Sequence, residues 1–398
     1  MSRIARGGGV LHVLTLTPFF PSAGDDVSGC FVAEPLEQLR ELGIDSSVIA
    51  GGPIYHPAKQ KSATAPAEWV RYPQMPGTLG LSGAGRLLYA RVRREVRNLH
   101  CDKPIDVIHA HAALPFGHAA ALLSQHLKIP FVVTVHGLDV FNSCFRGGMA
   151  AESRWRGSVD VFRAARNVIC VSGKVQEILE AGAPVTVRST VVYNGVNPDL
   201  FAPDMDDAQS LDQEILMVGN LLRSKGHELV LRALADLHPA FPALRLRIIG
   251  EGPDRAFYES LVSELGIGGH VLFSGRQSRA EVAKAMRHCS IFVLPSRNES
   301  LGCVYLEAMS SGKPVIACQG QGIEEVIEHG QNGWLIPADG RIELVQGVSA
   351  LLKSPETRMR IGASARHAIL DGLTLRDQAE HLFEVYRQAA SKPRTAAL

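Results

Sequence analysis

Glu299 and Glu307 lie in the run Pro295-Ser-Arg-Asn-Glu-Ser-Leu-Gly-Cys-Val-Tyr-Leu-Glu-Ala-Met309. The apolar IFVLPS that leads into this run predicts a buried strand ending at Pro295. Glu299 then falls in a short loop, and Gly302 opens a helix that carries Glu307. Backbone N–H groups at such a helix start, those of Leu301, Gly302 and Cys303, suit an anion, and the helix dipole favours one. A glycine there lets a phosphate approach the backbone closely. A carboxylate just over a turn into the helix can accept hydrogen bonds from two vicinal ribose hydroxyls, and a loop carboxylate can reach a sugar hydroxyl beyond a diphosphate. Two solvated glutamates on a strand–loop–helix would give the same spacing, so these residues by themselves leave both readings open.

Other polar groups fall at similar places. The run Met217-Val-Gly-Asn-Leu-Leu-Arg-Ser-Lys-Gly-His227 follows an apolar strand. A glycine turn followed by Arg223 and Lys225 at a helix start suits a diphosphate, although a polar surface loop looks the same. Ile108-His-Ala-His111 and Thr134-Val-His-Gly-Leu-Asp139 each end a buried strand, which offers His111 and His136 as sugar or phosphate contacts. A lone strand-end histidine is more often a structural hydrogen-bonding group. His109 and His111 do not announce a metal, because no carboxylate or cysteine set accompanies them at a usual spacing. Gly29 opens a helix after the long loop Pro18–Phe31, and Arg276 follows the run Phe273-Ser-Gly. The stretch Gly85–Leu99 is an amphipathic helix: Leu88, Val92, Val96 and Leu99 form one face, and Arg86, Arg91, Arg93, Arg94 and Arg97 cover most of the rest. It fits either docking on an anionic lipid surface or a solvated helix packed on a core.

Elements must bring these residues together. Short β-branched runs alternate with helical stretches along the whole chain. Strands are expected at Val10–Thr15, Ser47–Ala50, Val107–Ala110, Phe131–Val135, Val168–Val171 and Thr190–Val192, then at Glu214–Val218, Leu244–Ile249, His270–Phe273, Ile291–Leu294, Pro314–Ala317 and Trp334–Ile336. Such alternation predicts parallel sheets with right-handed crossovers, here two doubly wound α/β domains. The aperiodic Asn197–Gln213, with two prolines and five aspartates, reads as the linker between them. The domains expected are residues 1–197, residues 198–373, and a C-terminal helix at 374–398 that crosses back to the first domain before a loose tail. Ligands of such sheets bind at the carboxyl ends of the strands, so a cleft between the domains is the expected site.

Bulk properties exclude several classes. The 398 residues carry a net charge of +1, which gives no global pull toward nucleic acid. The first 195 residues carry 20 Lys and Arg against 15 Asp and Glu, and the rest 21 against 25, so the halves differ in sign. Seven widely spaced cysteines with no C-x-x-C pair argue against a disulfide framework or zinc site and for a reducing cytosol. The N-terminal apolar run lacks a cleavage site, and no stretch reaches the roughly 18 apolar residues of a membrane span. No G-x-G-x-x-G follows the first strand, which disfavours a dinucleotide dehydrogenase.

Residues 290–336, SIFVLPSRNESLGCVYLEAMSSGKPVIACQGQGIEEVIEHGQNGWLI, closely resemble the donor-binding half of family 4 glycosyltransferases, and the likeness runs from about residue 10 to about 390. The family's E-x7-E pattern is met by Glu299 and Glu307. The resemblance implies the GT-B fold, two Rossmann-like domains facing a cleft, and a retaining, metal-independent transfer from a UDP- or GDP-linked sugar with no cofactor. It implies that Glu307 holds the ribose, that Glu299 holds the transferred sugar and that His136 touches that sugar near the reacting carbon. Lys225 and the amides around Gly302 would stabilise the diphosphate, Gly29 would let its loop lie against it, and Arg276 would contact the base. The family usually has Gly-Arg where this chain has Gly219-Asn220, so Arg223 would supply the charge that Asn220 lacks. The acceptor implied is a glycan or a lipid-linked sugar, with the basic helix on the inner face of the plasma membrane and the protein cytoplasmic. The opening TLTPFFPSAGDDVSGCFVAEPLEQLRELG resembles bacterial enzymes of surface polysaccharide assembly, including those of the teichuronic acid type. Competing readings are a nucleotide-sugar epimerase of the same architecture, which would isomerise donor alone, and a non-catalytic partner subunit, which would bind no donor.

Overall fold

The structure is a computed structural model that describes residues 10–62, 65–76, 80–137, 139–141, 149–183, 186–203 and 213–391. The middle of the expected linker, Cys144 and the tail beyond Ser391 lie outside the described residues. The chain divides into two compact units. One comprises residues 1–171, 175–192 and 378–398, and the other residues 172–174 and 193–377.

The strands of the first unit are β1 (Leu11–Thr17), β2 (Ile44–Pro53), β3 (Glu68–Tyr72), β4 (Val107–His111), β5 (Phe131–Val135), β6 (Asn167–Cys170) and β7 (Ser189–Val191). They form one parallel sheet in the order β3-β2-β1-β4-β5-β6-β7. Both faces are covered, as parallel sheets require, so β4 and β5 are buried at every position. The period of two sorts their side chains. Leu14, Ile108, Val133 and Val168 share one core with Ala84, Leu88, Val92 and Val96 of the helix Leu81–Asp102. Val13, Val107, Val132 and Ile169 share another with Ala379, Leu382, Val385 and Tyr386 of the C-terminal helix Leu375–Ser391. The five arginines of the basic helix are exposed and its expected apolar face is inward, with Leu99 half-buried at its end. Edge strand β3 was not expected from the sequence. Only Val70 and Tyr72 of it are buried, with Arg71 exposed between them.

The second unit holds β8 (Glu214–Val218), β9 (Arg245–Ile249), β10 (Val271–Phe273), β11 (Ile291–Leu294), β12 (Val315–Cys318) and β13 (Trp334–Ile336). These strands are all parallel, in the order β10-β9-β8-β11-β12-β13. Strand order reverses between the neighbours β8 and β11, whose register pairs Ile215 with Ile291 and Leu216 with Phe292. Such a reversal of strand order, at the carboxyl ends of the strands, is where open α/β sheets bind ligands. The loop after β8 carries Lys225, and the loop after β11 carries Glu299. Among the described residues no helix is long and apolar enough to cross a membrane.

Candidate active site

In the second unit the two loops touch. The turn that ends at Gly226 has φ +77°, and a Cβ on Gly226 would lie 2.3 Å from the Pro295 carbonyl oxygen. Only glycine allows that approach, and it sets Lys225 beside the end of β11. Lys225 Nζ donates to Glu299 Oε2 at 2.5 Å, with the side chains only 24% and 14% exposed. The Glu299 loop is itself fixed. Its backbone N–H donates to Gln321 Oε1 at 2.9 Å, and its carbonyl accepts from Gly322 N–H at 3.2 Å. Gly302 precedes the helix Cys303–Ser310 with φ +81°, a left-handed backbone, and a Cβ there would lie 2.5 Å from the Tyr305 ring. That ring is fully buried, and its hydroxyl donates to the Leu294 carbonyl at 2.6 Å. Burial pushes the Tyr305 hydroxyl well above its ordinary pKa, so it stays a donor. The helix start is thereby tied to the last residue of β11. Leu301 is buried, and half-buried Cys303 accepts a hydrogen bond from Asn194 Nδ2 at 3.4 Å.

Glu307 is not a solvated helix residue. It is 3% exposed and accepts a hydrogen bond from the guanidinium of Arg279, itself a buried residue. The Arg279 guanidinium also lies over the ring of buried Phe201, 4.8 Å from its centre. Arg279 was not among the expected site residues. The signal was present: with Val282, Ala283 and Met286 it completes the i, i+3, i+4, i+7 stripe of the helix Arg279–His288, and an arginine on an apolar stripe needs a buried partner.

Three other candidates stand elsewhere in this unit. Asn220 is exposed, and its carbonyl accepts the Leu222 N–H at 2.8 Å. The Arg223 guanidinium lies 3.3 Å from the centre of the Phe257 ring and pairs with Glu228 at 3.4 Å and Asp254 at 3.8 Å. Its charge is thus shared with two carboxylates, whereas Lys225 is paired with Glu299. Arg276 is exposed in the loop after edge strand β10, where the Gly275 carbonyl accepts the Gly250 N–H at 2.9 Å.

In the first unit three imidazoles gather at the carboxyl ends of β4 and β5. His109 hydrogen-bonds Tyr386 Oη and Thr134 Oγ1, both at 2.7 Å. His111 Nδ1 and His136 Nε2 are 2.9 Å apart, with their rings stacked at 15°. Phe19, at the start of the loop before Gly29, and Phe31, in the helix Cys30–Ala33 after it, pack on the His136 ring at 5.8 and 4.8 Å between centres. Gly29 itself precedes the helix Cys30–Ala33 and lies against the backbone of Phe19 and Phe20. Burial pushes His109 and His136 down to about 3 and His111 well below its ordinary range, so all three are neutral near pH 7. Burial raises Asp139 to about 6, opposed by hydrogen bonds from the N–H groups of Ala113, His136 and Asp139 itself. His109 is therefore a structural group, tied to strand and C-terminal helix, while half-buried His136 ends the chain of imidazoles. Among the described residues no three His, Cys, Asp or Glu side chains are grouped so as to hold a metal ion.

Residues 6–200 match the family described as Glycosyltransferase Family 4, and residues 207–368 match Glycosyl transferases group 1. An uncharacterized glycosyltransferase of Methanocaldococcus jannaschii is 31% identical over 273 residues, which cover 68% of this chain and 72% of that protein. A putative teichuronic acid biosynthesis glycosyltransferase of Bacillus subtilis, TuaC, is 28% identical over 343 residues, covering 79% of this chain and 83% of that one. In structure, sucrose-phosphate synthase from Thermosynechococcus elongatus aligns with a TM-score of 0.76 at 20% identity, over 95% of this chain and 98% of that chain. HepE from Anabaena, solved in complex with UDP-glucose, aligns with a TM-score of 0.73 at 20% identity, over 95% and 100%. With two parallel Rossmann-like sheets and these matches along its length, the chain belongs to family 4 of the glycosyltransferases and has the GT-B fold.

Proposed function

We propose that this glycosyltransferase moves a hexosyl group from a UDP- or GDP-linked donor to a glycan or lipid-linked acceptor, with retention of configuration and without a bound metal. The observation that carries the reading is the Lys225–Glu299 pair, held where strand order reverses in the second unit and beside the start of the helix Cys303–Ser310. A bound diphosphate competes with Glu299 for the Lys225 ammonium, and the amides of Leu301, Gly302 and Cys303 offer further donors. The released Glu299 carboxylate then accepts from a hydroxyl of the transferred sugar, and Glu307 accepts from the ribose. As the anomeric C–O bond to the diphosphate breaks, the acceptor oxygen bonds to that carbon on the same face. The acceptor proton passes to a leaving phosphate oxygen. Lys225 and the amides stabilise the charge that develops, an effect worth a few kcal/mol per donor.

His136, a neutral imidazole, is the proposed contact of the first unit to the transferred sugar, with His111 behind it and Gly29 in the loop that packs on it. Arg276 is the proposed base contact. Arg223 supplies charge to the diphosphate only by loosening its ties to Glu228 and Asp254, and Asn220 supplies none. The UDP-glucose held by HepE supports a UDP-sugar donor, and the likeness to TuaC, a putative teichuronic acid biosynthesis enzyme, supports an acceptor in surface polysaccharide assembly. The exposed arginines of the helix Leu81–Asp102 support peripheral contact with an anionic membrane from the cytoplasmic side.

A thermal-shift screen of UDP- and GDP-sugars tests the reading. A donor at about 100 times its Kd stabilises the fold by about 2.7 kcal/mol, enough to separate one base from the other. The same shifts are expected with and without EDTA. A protein that responds to none of these donors does not carry out the reaction proposed.

A further inference from the structure

We infer that Arg279 is a positioning residue for donor recognition: it fixes the Glu307 carboxylate in the orientation that accepts the ribose hydroxyls. The inference rests on the reading of Glu307 as the ribose contact. Arg279 is the first residue of the helix Arg279–His288, where Ser278 Oγ caps the start by accepting the Glu281 N–H at 3.3 Å. It is 9% exposed on the stripe that Val282, Ala283 and Met286 turn to the core. From there the guanidinium donates Nη1–H to Glu307 Oε1 and lies over Phe201, 4.8 Å from its ring centre. Phe201 is fully buried, and its backbone is held in turn. Its N–H donates to the Asn197 carbonyl at 3.1 Å, and its carbonyl accepts from Arg366 Nη1 at 3.4 Å. The cation under Glu307 is therefore fixed by its helix cap, by the ring and by the carboxylate.

One consequence follows for Glu307. A guanidinium bonded to one oxygen stops the carboxylate from turning about its last torsion, so the orientation of its acceptor lone pairs is set by the fold. Arg279 touches no part of the donor in this arrangement. Its effect reaches the ribose through Glu307.

The test compares Kd values for the nucleoside diphosphate and its 2′-deoxy analogue by titration calorimetry on the full chain, with UDP or GDP as the donor screen dictates. The unsubstituted protein is expected to prefer the ribonucleotide by about 10-fold, the worth of one hydrogen bond to a charged acceptor. Arg279→Met should bring that ratio close to 1 while leaving the deoxynucleotide affinity nearly unchanged, and Arg279→Lys should restore part of it. Where Arg279→Met does not fold, Arg279→Gln carries the test with the same expected loss. A ratio unchanged in Arg279→Met or Arg279→Gln, with Glu307→Gln abolishing it, overturns the positioning role and leaves the ribose contact standing. Equal weakening of both nucleotides also overturns it, since that is what a merely structural arginine would do. No preference in the unsubstituted protein overturns the ribose reading, and the inference with it.

Discussion

Lys225 and Glu299 form an ion pair that is mostly screened from water. In the proposed reaction the lysine stabilises the leaving diphosphate, so Lys225→Ala should lower turnover by about 100-fold or more. Steady-state kinetics on purified, folded variant decide it, and full activity would remove Lys225 from the mechanism. The imidazoles give a second prediction at this scale. His109 has a pKa of about 3 in the fold, from burial, against an ordinary 6.5 when unfolded. Between those values the unfolded chain binds the extra proton, so stability is lost as pH falls below 6.5. At pH 5 that loss is about 2 kcal/mol for His109. Asp139, raised to about 6, acts with the opposite sign, since its buried carboxyl is favoured as pH falls from 6 toward 4. Melting temperatures measured from pH 7 to 5 should fall, with a shallower slope in His109→Asn and a steeper one in Asp139→Asn.

The loops that carry the site are set by contacts at the ends of strands. Gly302 takes a backbone that side chains disfavour, at a place where Tyr305 fills the space a Cβ would need. Gly302→Ala should force the ring away and break its 2.6 Å hydrogen bond to the Leu294 carbonyl. The strain and the lost bond together cost about 2 kcal/mol. Urea denaturation should register that cost. Donor affinity should drop about 10-fold or more as the amides of the helix start move, and an unchanged Kd would mean that these amides do not bind the diphosphate. The strand–loop–helix frame around Glu299 and Glu307 was legible in the apolar IFVLPS and the glycine after it. The buried arginine beneath Glu307 was legible only as a charged residue on an apolar stripe. A stripe says that a partner exists and leaves open which residue it is.

For the whole molecule, the last helix belongs with the first sheet. Leu382, Val385 and Tyr386 bury their side chains against Val13, Val107, Val132 and Ile169. At roughly 1.5–3 kcal/mol for each large side chain, this face is comparable with the 5–15 kcal/mol that keeps a domain folded. A chain ending at Asp377 should therefore lose the unfolding transition of the first unit, by aggregation or by melting at ambient temperature, while that of the second unit persists. Differential scanning calorimetry separates the two. Two intact transitions would show that the helix is dispensable.

The sequence by itself determined the class of both sheets, because alternation of apolar runs with amphipathic stretches admits little besides parallel α/β units. It also determined that His136 directly follows a buried run and that Lys225 and Glu299 lie in the loops that follow two others. The edge strand β3 escaped, because only two of its five residues, Val70 and Tyr72, are buried, too few to make a period legible. Tertiary structure alone decided the partners. Strand order brings the ends of β8 and β11 side by side, and so joins Lys225 to Glu299 across 74 residues. Parity along β4 turns His109 toward Tyr386, 277 residues away, and helix packing sets Arg279 under Glu307. Local pattern fixes which way a side chain faces, but what it meets there depends on which elements the fold stacks together.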